Sequence, residues 1–482
     1  MMEKIQKNHL KIYNSLSGKK ESFKPKNSDY IKMYVCGPTV YGYIHLGNCR
    51  TFIFFDLVFR YLKHLGYKVR YVRNITDVGH LENDSDYGED KIAKKSKMEK
   101  LEIMEIIQKY SLDFHKNLSF FNVLPPSIEP YARSHIIEQI EWIKKLLEKE
   151  LAYEVNGSVY FEIKAFERWY HYGVLSKRKK EITKSRLSLK KQEEKFNTED
   201  FALWKKATSK YSMSWPSPWG QGFPGWHTEC AVMSTKYLGE SFDIHGGGID
   251  LKFPHHECEI AQIQGLYGKS PVKYWMHTNL LTIKGQKMSK KTGNIFLPET
   301  LFKRIHPSII RFFLLKTHYR TQLDFSSDTL FSAERSYYRL IDSFKVLKNL
   351  PIGKKSTFDV LSWREKCYAA IDDDFNSPML IMLLFEAVSC IEKKTELVEE
   401  DLIILKKTMN DFFFEVLGLE LIDENQPIIY DYSKNLIELI IQVRNRARFE
   451  KNWYLSDYIR FEMSRLGIRL KDGKESSQFE IV

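Results

Sequence analysis

Ile31-Lys32-Met33-Tyr34-Val35-Cys36-Gly37-Pro38 is the stretch that decides the fold. A short run rich in β-branched and aromatic residues stops at a Gly-Pro turn, which reads as a strand. Beyond it, Phe52 to Leu65 carries apolar residues at helical spacing, and Gly66 follows where a helix would end. Tyr67-Lys68-Val69-Arg70-Tyr71-Val72 is the next strand. A strand, a helix and a strand in so few residues predict a right-handed parallel crossover. The chain therefore opens as an α/β domain.

Composition bounds the rest. The 482 residues predict three or four domains. A hydrophobic content of 43% excludes a disordered chain. The net charge of +12 points toward a polyanionic partner, although a Lys-rich composition alone produces the same number. No run of eighteen apolar residues occurs, so no membrane contact is expected. The first residues lack an apolar targeting segment and read as a cytoplasmic protein. Six cysteines in so long a chain exclude a disulfide scaffold and leave metal ligand, catalyst or buried residue as their roles. No coiled-coil stripe is present, so a monomer is the expectation.

Between about 120 and 200 the pattern changes. Lys177 to Lys195 holds nine Lys/Arg against three Glu and reads as a solvated surface loop rather than an RNA-contacting strip. Residues 200–270, rich in Gly, Trp and His, read as active-site loops between short strands. From about 330 the chain reads as helical, with stretches such as Leu380–Leu397 and Asn435–Arg448.

Two segments suit phosphate chemistry. His45-Leu46-Gly47-Asn48 lies between the first strand and its helix, where free N–H groups and the dipole favour an anion. Lys287-Met288-Ser289-Lys290-Lys291 sets two lysines three residues apart, able to surround a phosphate whose charge builds in a transition state. There is neither a G-x-x-x-x-G-K-[ST] loop nor a G-x-G-x-x-G turn. Either segment alone is a weak signal. In this order and spacing the pair resembles the two signatures of class I aminoacyl-tRNA synthetases.

Soft metal donors form a third pattern. Cys36 ends the first strand, Cys230 follows Pro224-Gly225-Trp226-His227-Thr228-Glu229, and His255 and Glu259 lie in Phe253-Pro254-His255-His256-Glu257-Cys258-Glu259. If Pro254 opens a helix, His255 and Glu259 share a face at i, i+4. Two thiolates, an imidazole and a carboxylate make a zinc shell. Cys258, at i+3 from His255, is the alternative to Glu259, which is preferred.

Met33–Tyr41, Asn74–Asp77, Gly225–Cys230, Phe242–Gly248 and Asp372–Pro378 together resemble the cysteinyl-tRNA synthetase family over nearly the whole chain. The resemblance implies a Rossmann-like parallel-sheet catalytic domain with an insertion, followed by an all-helical C-terminal region. It places the catalytic domain at 1–120 plus 200–270 and a connective insertion at 121–199. A stem-contact region carrying the KMSKK loop follows at 271–330, then a helical bundle at 331–420 and an anticodon-binding domain at 421–482. It implies one Zn2+ per chain on Cys36, Cys230, His255 and Glu259, binding the substrate's own thiolate. Trp226 would pack against substrate cysteine, with Thr76 and Gly37 nearby. Thr39, His45, Asn48, His245 and Asp250 would line the ATP site, and Lys287 and Lys290 would serve the phosphates, with Mg2+ on the pyrophosphate. The partners implied are L-cysteine, ATP and tRNA(Cys).

The sequence departs from the family pattern in three places. Asn48 stands where the first signature commonly has His, Lys291 where the second ends in Ser, and the tail lacks a Gly-Thr-x-Trp end. Cys49, Cys367 and Cys390 are expected to be buried. Two rival readings are a cysteine ligase acting on a small amine and a non-catalytic zinc RNA-binding protein. Arg444, Arg446, Arg448, Lys451, Arg460, Arg465 and Arg469, interleaved with Trp453 and Tyr454, favour an RNA-binding tail over the small-amine ligase. The lysine loop speaks against a non-catalytic protein.

Overall fold

A computed structural model describes residues 9–27, 30–81, 88–177, 194–207, 213–288, 293–422, 432–466, 468–472 and 477–481. It divides into two units, residues 1–422 and 423–482.

The first unit is built on a parallel sheet of four strands, in the spatial order Val272–Thr278, Phe242–Gly248, Tyr30–Val35, Lys68–Arg73. The helix Leu46–His64 makes the crossover predicted from the opening sequence. It ends as Gly66 takes φ 80°, a left-handed turn that favours glycine. The helix His255–Tyr267 makes the second crossover, from Phe242–Gly248 to Val272–Thr278. From Tyr30–Val35 the chain first moves to one side, then returns to the other at Phe242–Gly248. Strand order thus reverses between the two central strands, which opens a crevice beyond their carboxyl ends. Gly246 lets the first helix lie flush on the sheet, because a Cβ there would fall 2.0 Å from the Phe55 ring.

Residues 200–270 correct the sequence expectation. They hold the helices Trp226–Leu238 and His255–Tyr267 rather than loops between strands. His227 through Ser234 are all buried, as are His255 through Ile263. Helices covered on most sides show no polar face, so the helical period vanishes from the sequence.

A second, antiparallel sheet runs Ala152–Val155, Ser158–Phe161, Phe201–Lys206, Gly222–Pro224. The insertion boundary expected at 199 falls within this sheet. The end of the catalytic domain expected at 270 precedes the strand Val272–Thr278 of the parallel sheet. Residues 178–193, most of the basic strip, lie outside the described residues.

Four helices follow: Ser327–Lys348, Val360–Asp372, Ser377–Glu392 and Glu399–Asn410. The first three start where Ser326, Asp359 and Asn376 accept backbone N–H groups. Their core is continuous with that of the parallel sheet. The junction is polar as well as apolar. Asp56, on the helix Leu46–His64, accepts from Arg60 Nε at 2.7 Å and from the fully buried Arg311. Arg311 also donates to Leu417 O at 2.7 Å and Phe121 O at 2.8 Å. Cys49, Cys367 and Cys390 are buried, as expected.

The second unit has the helices Tyr432–Phe449 and Trp453–Arg465. It closes on an antiparallel hairpin, Ile468–Asp472 with Ser477–Ile481, so the C-terminal region is helical but not wholly so. Ile437, Ile441, Met463 and Leu470 form its small core. Arg444 is inside, with Nε donating to Ser456 O at 3.2 Å, and so does not join the exposed cations expected there. Arg446, Lys451, Arg460 and Arg465 are exposed beside Trp453, Tyr454 and Tyr458.

Removing one partner from a buried ion cluster strands the remaining charges. Asp56→Ala is expected to cost about 3–5 kcal/mol of stability in urea unfolding, and a loss within error would show that the two guanidinium groups need no counter-ion.

Candidate active site

Cys36 leaves the sheet at the reversal point, its N–H bonded to Gly246 O at 3.0 Å. Cys230 enters from the second turn of the helix Trp226–Leu238, and His255 and Glu259 from the first two turns of the helix His255–Tyr267. One donor atom from each of these four lies within 4.8 Å of the others, and all four residues are buried. Sγ of Cys36 is 3.8 Å from Sγ of Cys230 and 3.7 Å from Glu259 Oε1. His255 Nε2 is 3.2 Å from the same Oε1, which confirms the i, i+4 geometry. Burial, then the bond with Cys230, pushes the Cys36 thiol well above its ordinary range. Two soft sulfurs, an imidazole and a carboxylate at this spacing fit zinc.

His245, expected at the ATP site, is fully buried instead. Its Nε2 meets Glu259 Oε2 at 2.9 Å and its ring stacks on Trp275 at 4.4 Å. One carboxylate oxygen is thereby anchored, and the other is turned toward Cys36 and His255. A second group, Cys36, His245, His256 and Glu259, is equally compact. It has one thiol rather than two. Its His256 is already engaged, with Nε2 3.3 Å from Cys36 Sγ and Nδ1 2.9 Å from His277. Burial lowers both of these imidazoles, His277 to about 3. Cys258 belongs to neither group. It faces the insertion side, where its Sγ meets the Tyr172 hydroxyl at 3.4 Å.

The loop Gly37–Val40 runs beside Asn74–Thr76. Gly37 N–H donates to Asn74 Oδ1 at 2.9 Å, Thr76 N–H to Pro38 O at 3.0 Å and Val40 N–H to Thr76 O at 3.2 Å. A Cβ on Gly37 would fall 1.5 Å from Asn74 O, so only glycine fits this approach. Trp226 opens its helix with its indole stacked on His255 at 4.4 Å.

The residues expected to bind phosphate gather at the start of the first helix. His45 is its N-cap, and Asn48 returns the bond to the His45 N–H at 3.3 Å. The two signature segments meet here. Leu46 N–H donates to Phe296 O at 3.1 Å, just past the lysine loop, and buried Met288 lies beside Gly47. Lys287 reaches Asp250 Oδ2 at 2.9 Å, with both side chains about half exposed. Lys290 lies outside the described residues.

Sequence reasoning missed His256, His80 and Lys91. His80 stacks on Trp226 at 4.1 Å and meets Lys91 Nζ at 2.7 Å. His256 carried a signal, since it adjoins His255, but the i, i+4 pair drew attention away from it. His80 carried none, because a lone His after Val78-Gly79 matches no motif.

A family model described as tRNA synthetases class I (C) catalytic domain matches residues 22–335. The cysteine--tRNA ligase of Bacteroides fragilis is 48% identical over 98% of this chain and 99% of its own. That of Chlorobaculum tepidum is 41% identical over 97% and 98%. Among solved structures, Mycobacterium tuberculosis methionyl-tRNA synthetase in complex with methionyl-adenylate aligns at TM-score 0.56 and 13% identity, over 88% of this chain and 96% of its own. The LeuRS–tRNA–LeuAMS complex from Agrobacterium radiobacter aligns at TM-score 0.59 and 10% identity, over 82% and 85%. The latter two share the fold. The near full-length identity goes further: the chain belongs to the cysteine--tRNA ligase family of class I tRNA synthetases.

Proposed function

We propose that the chain activates L-cysteine with ATP, forming cysteinyl-adenylate, and transfers the cysteinyl group to tRNA(Cys). The observation that carries this reading is the meeting of two thiols, an imidazole and a carboxylate at the crevice that also holds both phosphate-binding segments. Gly37, Thr76 and Trp226 border the amino acid. Thr39, His45, Asn48 and Asp250 border ATP, and Lys287 and Lys290 serve its phosphates with Mg2+. His245 holds Glu259. The cysteine carboxylate is already a nucleophile at neutral pH, so the residues need only align it with the α-phosphate and stabilise developing charge. Asp250 keeps Lys287 near that position through their ion pair. Monomeric, cytoplasmic action completes the proposal; among the described residues no helix is long and apolar enough to cross a membrane.

Selectivity is the harder task. A hydrophobic pocket separates substrates that differ by one small group by only ~1–3 kcal/mol. A zinc ion on Cys36, Cys230, His255 and Glu259 supplies a soft acceptor for a thiolate, which the serine hydroxyl cannot match without losing a proton of much higher pKa. Discrimination at the binding step then needs no editing site.

Pyrophosphate exchange tests the reaction. Exchange should depend on cysteine, and Lys287→Ala should lose about 2.7–4 kcal/mol of transition-state stabilisation with little change in cysteine binding. Cysteine-independent exchange, or full activity in Lys287→Ala, contradicts the proposal. Elemental analysis tests the ligand set. Cys258→Ser should keep its zinc, while His245→Ala should lose about 10–100-fold in affinity, as when a ligand's supporting bond is removed. Glu259→Ala should lose more. Zinc lost from Cys258→Ser and kept by Glu259→Ala reverses the assignment.

The second unit is proposed to read the anticodon, since its exposed arginines and aromatic rings suit phosphates and unstacked bases. Ending the chain after Ile422 should leave exchange largely intact and strongly reduce tRNA charging. Full charging by the shortened protein would exclude this role, and an intact protein that activates cysteine without charging tRNA would favour a small-amine acceptor.

A further inference from the structure

We infer that His80 is a positioning residue with two separable duties. Its ring fixes the indole of Trp226, and its Nδ1–H fixes the hydroxyl of Thr39. The inference rests on the proposed reaction, in which Trp226 borders cysteine and Thr39 borders ATP.

The stacking is close and nearly parallel. The His80 and Trp226 rings are 4.1 Å apart at 12°, and the far face of Trp226 meets His255 at 4.4 Å and 29°. Trp226 is thus the middle of three rings, with a proposed metal ligand on one side and His80 on the other. Without His80, one face of the indole loses its support. The indole sits at the first residue of its helix, where few neighbouring turns restrict it.

Hydrogen bonds fix the His80 ring itself. Lys91 Nζ lies 2.7 Å from Nε2. An ammonium has hydrogens and no lone pair, so Nε2 is the acceptor and the ring hydrogen sits on Nδ1. Nδ1 then donates to Thr39 Oγ1 at 2.6 Å. With one lone pair of Oγ1 engaged, the Thr39 hydroxyl hydrogen is directed to a different acceptor, which the ATP site supplies. The backbone closes the clamp: Lys91 N–H donates to His80 O at 3.0 Å. Lys91 is the first residue of the helix Lys91–Glu99, which Asp90 caps through bonds of 2.9 Å to Ile92 N–H and Ala93 N–H. One helix start therefore holds both the main chain and the ring of His80, and through that ring a residue on each side of the proposed reaction.

The two duties respond to different substitutions. His80→Phe keeps a flat ring against Trp226 and loses the Nδ1–H. His80→Asn keeps an N–H near the Nδ1 position and loses the ring. In cysteine-dependent pyrophosphate exchange with the full chain, His80→Phe should raise KM for ATP about five- to tenfold and leave KM for cysteine within about twofold. His80→Asn should do the reverse. If His80 reaches ATP through Thr39, then His80→Phe adds nothing to KM for ATP in a Thr39→Val background. A purely structural role would move both constants together in both variants; that result, or two unchanged constants, overturns the inference while leaving the reaction intact. A wild-type protein with no cysteine-dependent exchange overturns the functional proposal, and this inference with it. If His80→Phe does not fold, His80→Asn alone still decides the amino-acid duty by whether KM for cysteine rises without KM for ATP.

Discussion

A carboxylate without exposure is the constraint on which the site turns. Glu259 is fully buried, and a buried polar group is tolerated only where it is hydrogen-bonded. Its two oxygens are divided between partners: Oε2 to His245, Oε1 to His255 and toward Cys36. These partners come from different elements of the fold. Cys36 ends one central strand, His245 lies within the other, and His255 and Glu259 share the crossover helix. The carboxylate can be satisfied only when both strands and that helix are in register. The parallel sheet provides that register, pairing Tyr34 with His245 and Val35 with Gly246.

The same register joins the two ends of the crevice. The strand that delivers Cys36 leads to the turn that caps the first helix at His45. That helix lies flush on the other central strand because residue 246 is glycine. Its buried Asp56 ties it to Arg311 and so to the helical region that follows. The four donor residues and the start of the first helix are therefore parts of one frame, as the proposed reaction, limited by alignment, requires. The half-exposed Lys287 side chain is held by its ion pair with Asp250, while its backbone pairs with Thr282.

Much of this was legible in the sequence, for physical reasons. The first crossover was readable because an apolar run at helical spacing, stopped by Gly66, lies between two short strand-forming runs. Cys36, Cys230, His255 and Glu259 were readable as a set because soft donors are rare in this chain, which has six cysteines. The helix Trp226–Leu238 was not readable, and His255–Tyr267 only through the proline that opens it. Burial on most sides removes the polar face on which a periodic reading depends. His245 was placed at the nucleotide by resemblance alone, and its fully buried ring turns to Glu259 and Trp275. Arg444 looked like one more surface cation, but one helical face is spent on the small core of its unit. Resemblance carried what spacing could not, the identity of the amino acid.

In the proposed reaction, substrate cysteine is recognised by its sulfur at a centre built from Cys36, Cys230, His255 and Glu259. X-ray absorption at the zinc edge, on the full-length protein with and without L-cysteine, tests this most directly. Two sulfur neighbours from the protein, Cys36 and Cys230, are expected, joined by one more when cysteine is added and unchanged when serine is added. A sulfur count that does not rise with cysteine, or a single protein sulfur among imidazoles, would contradict it.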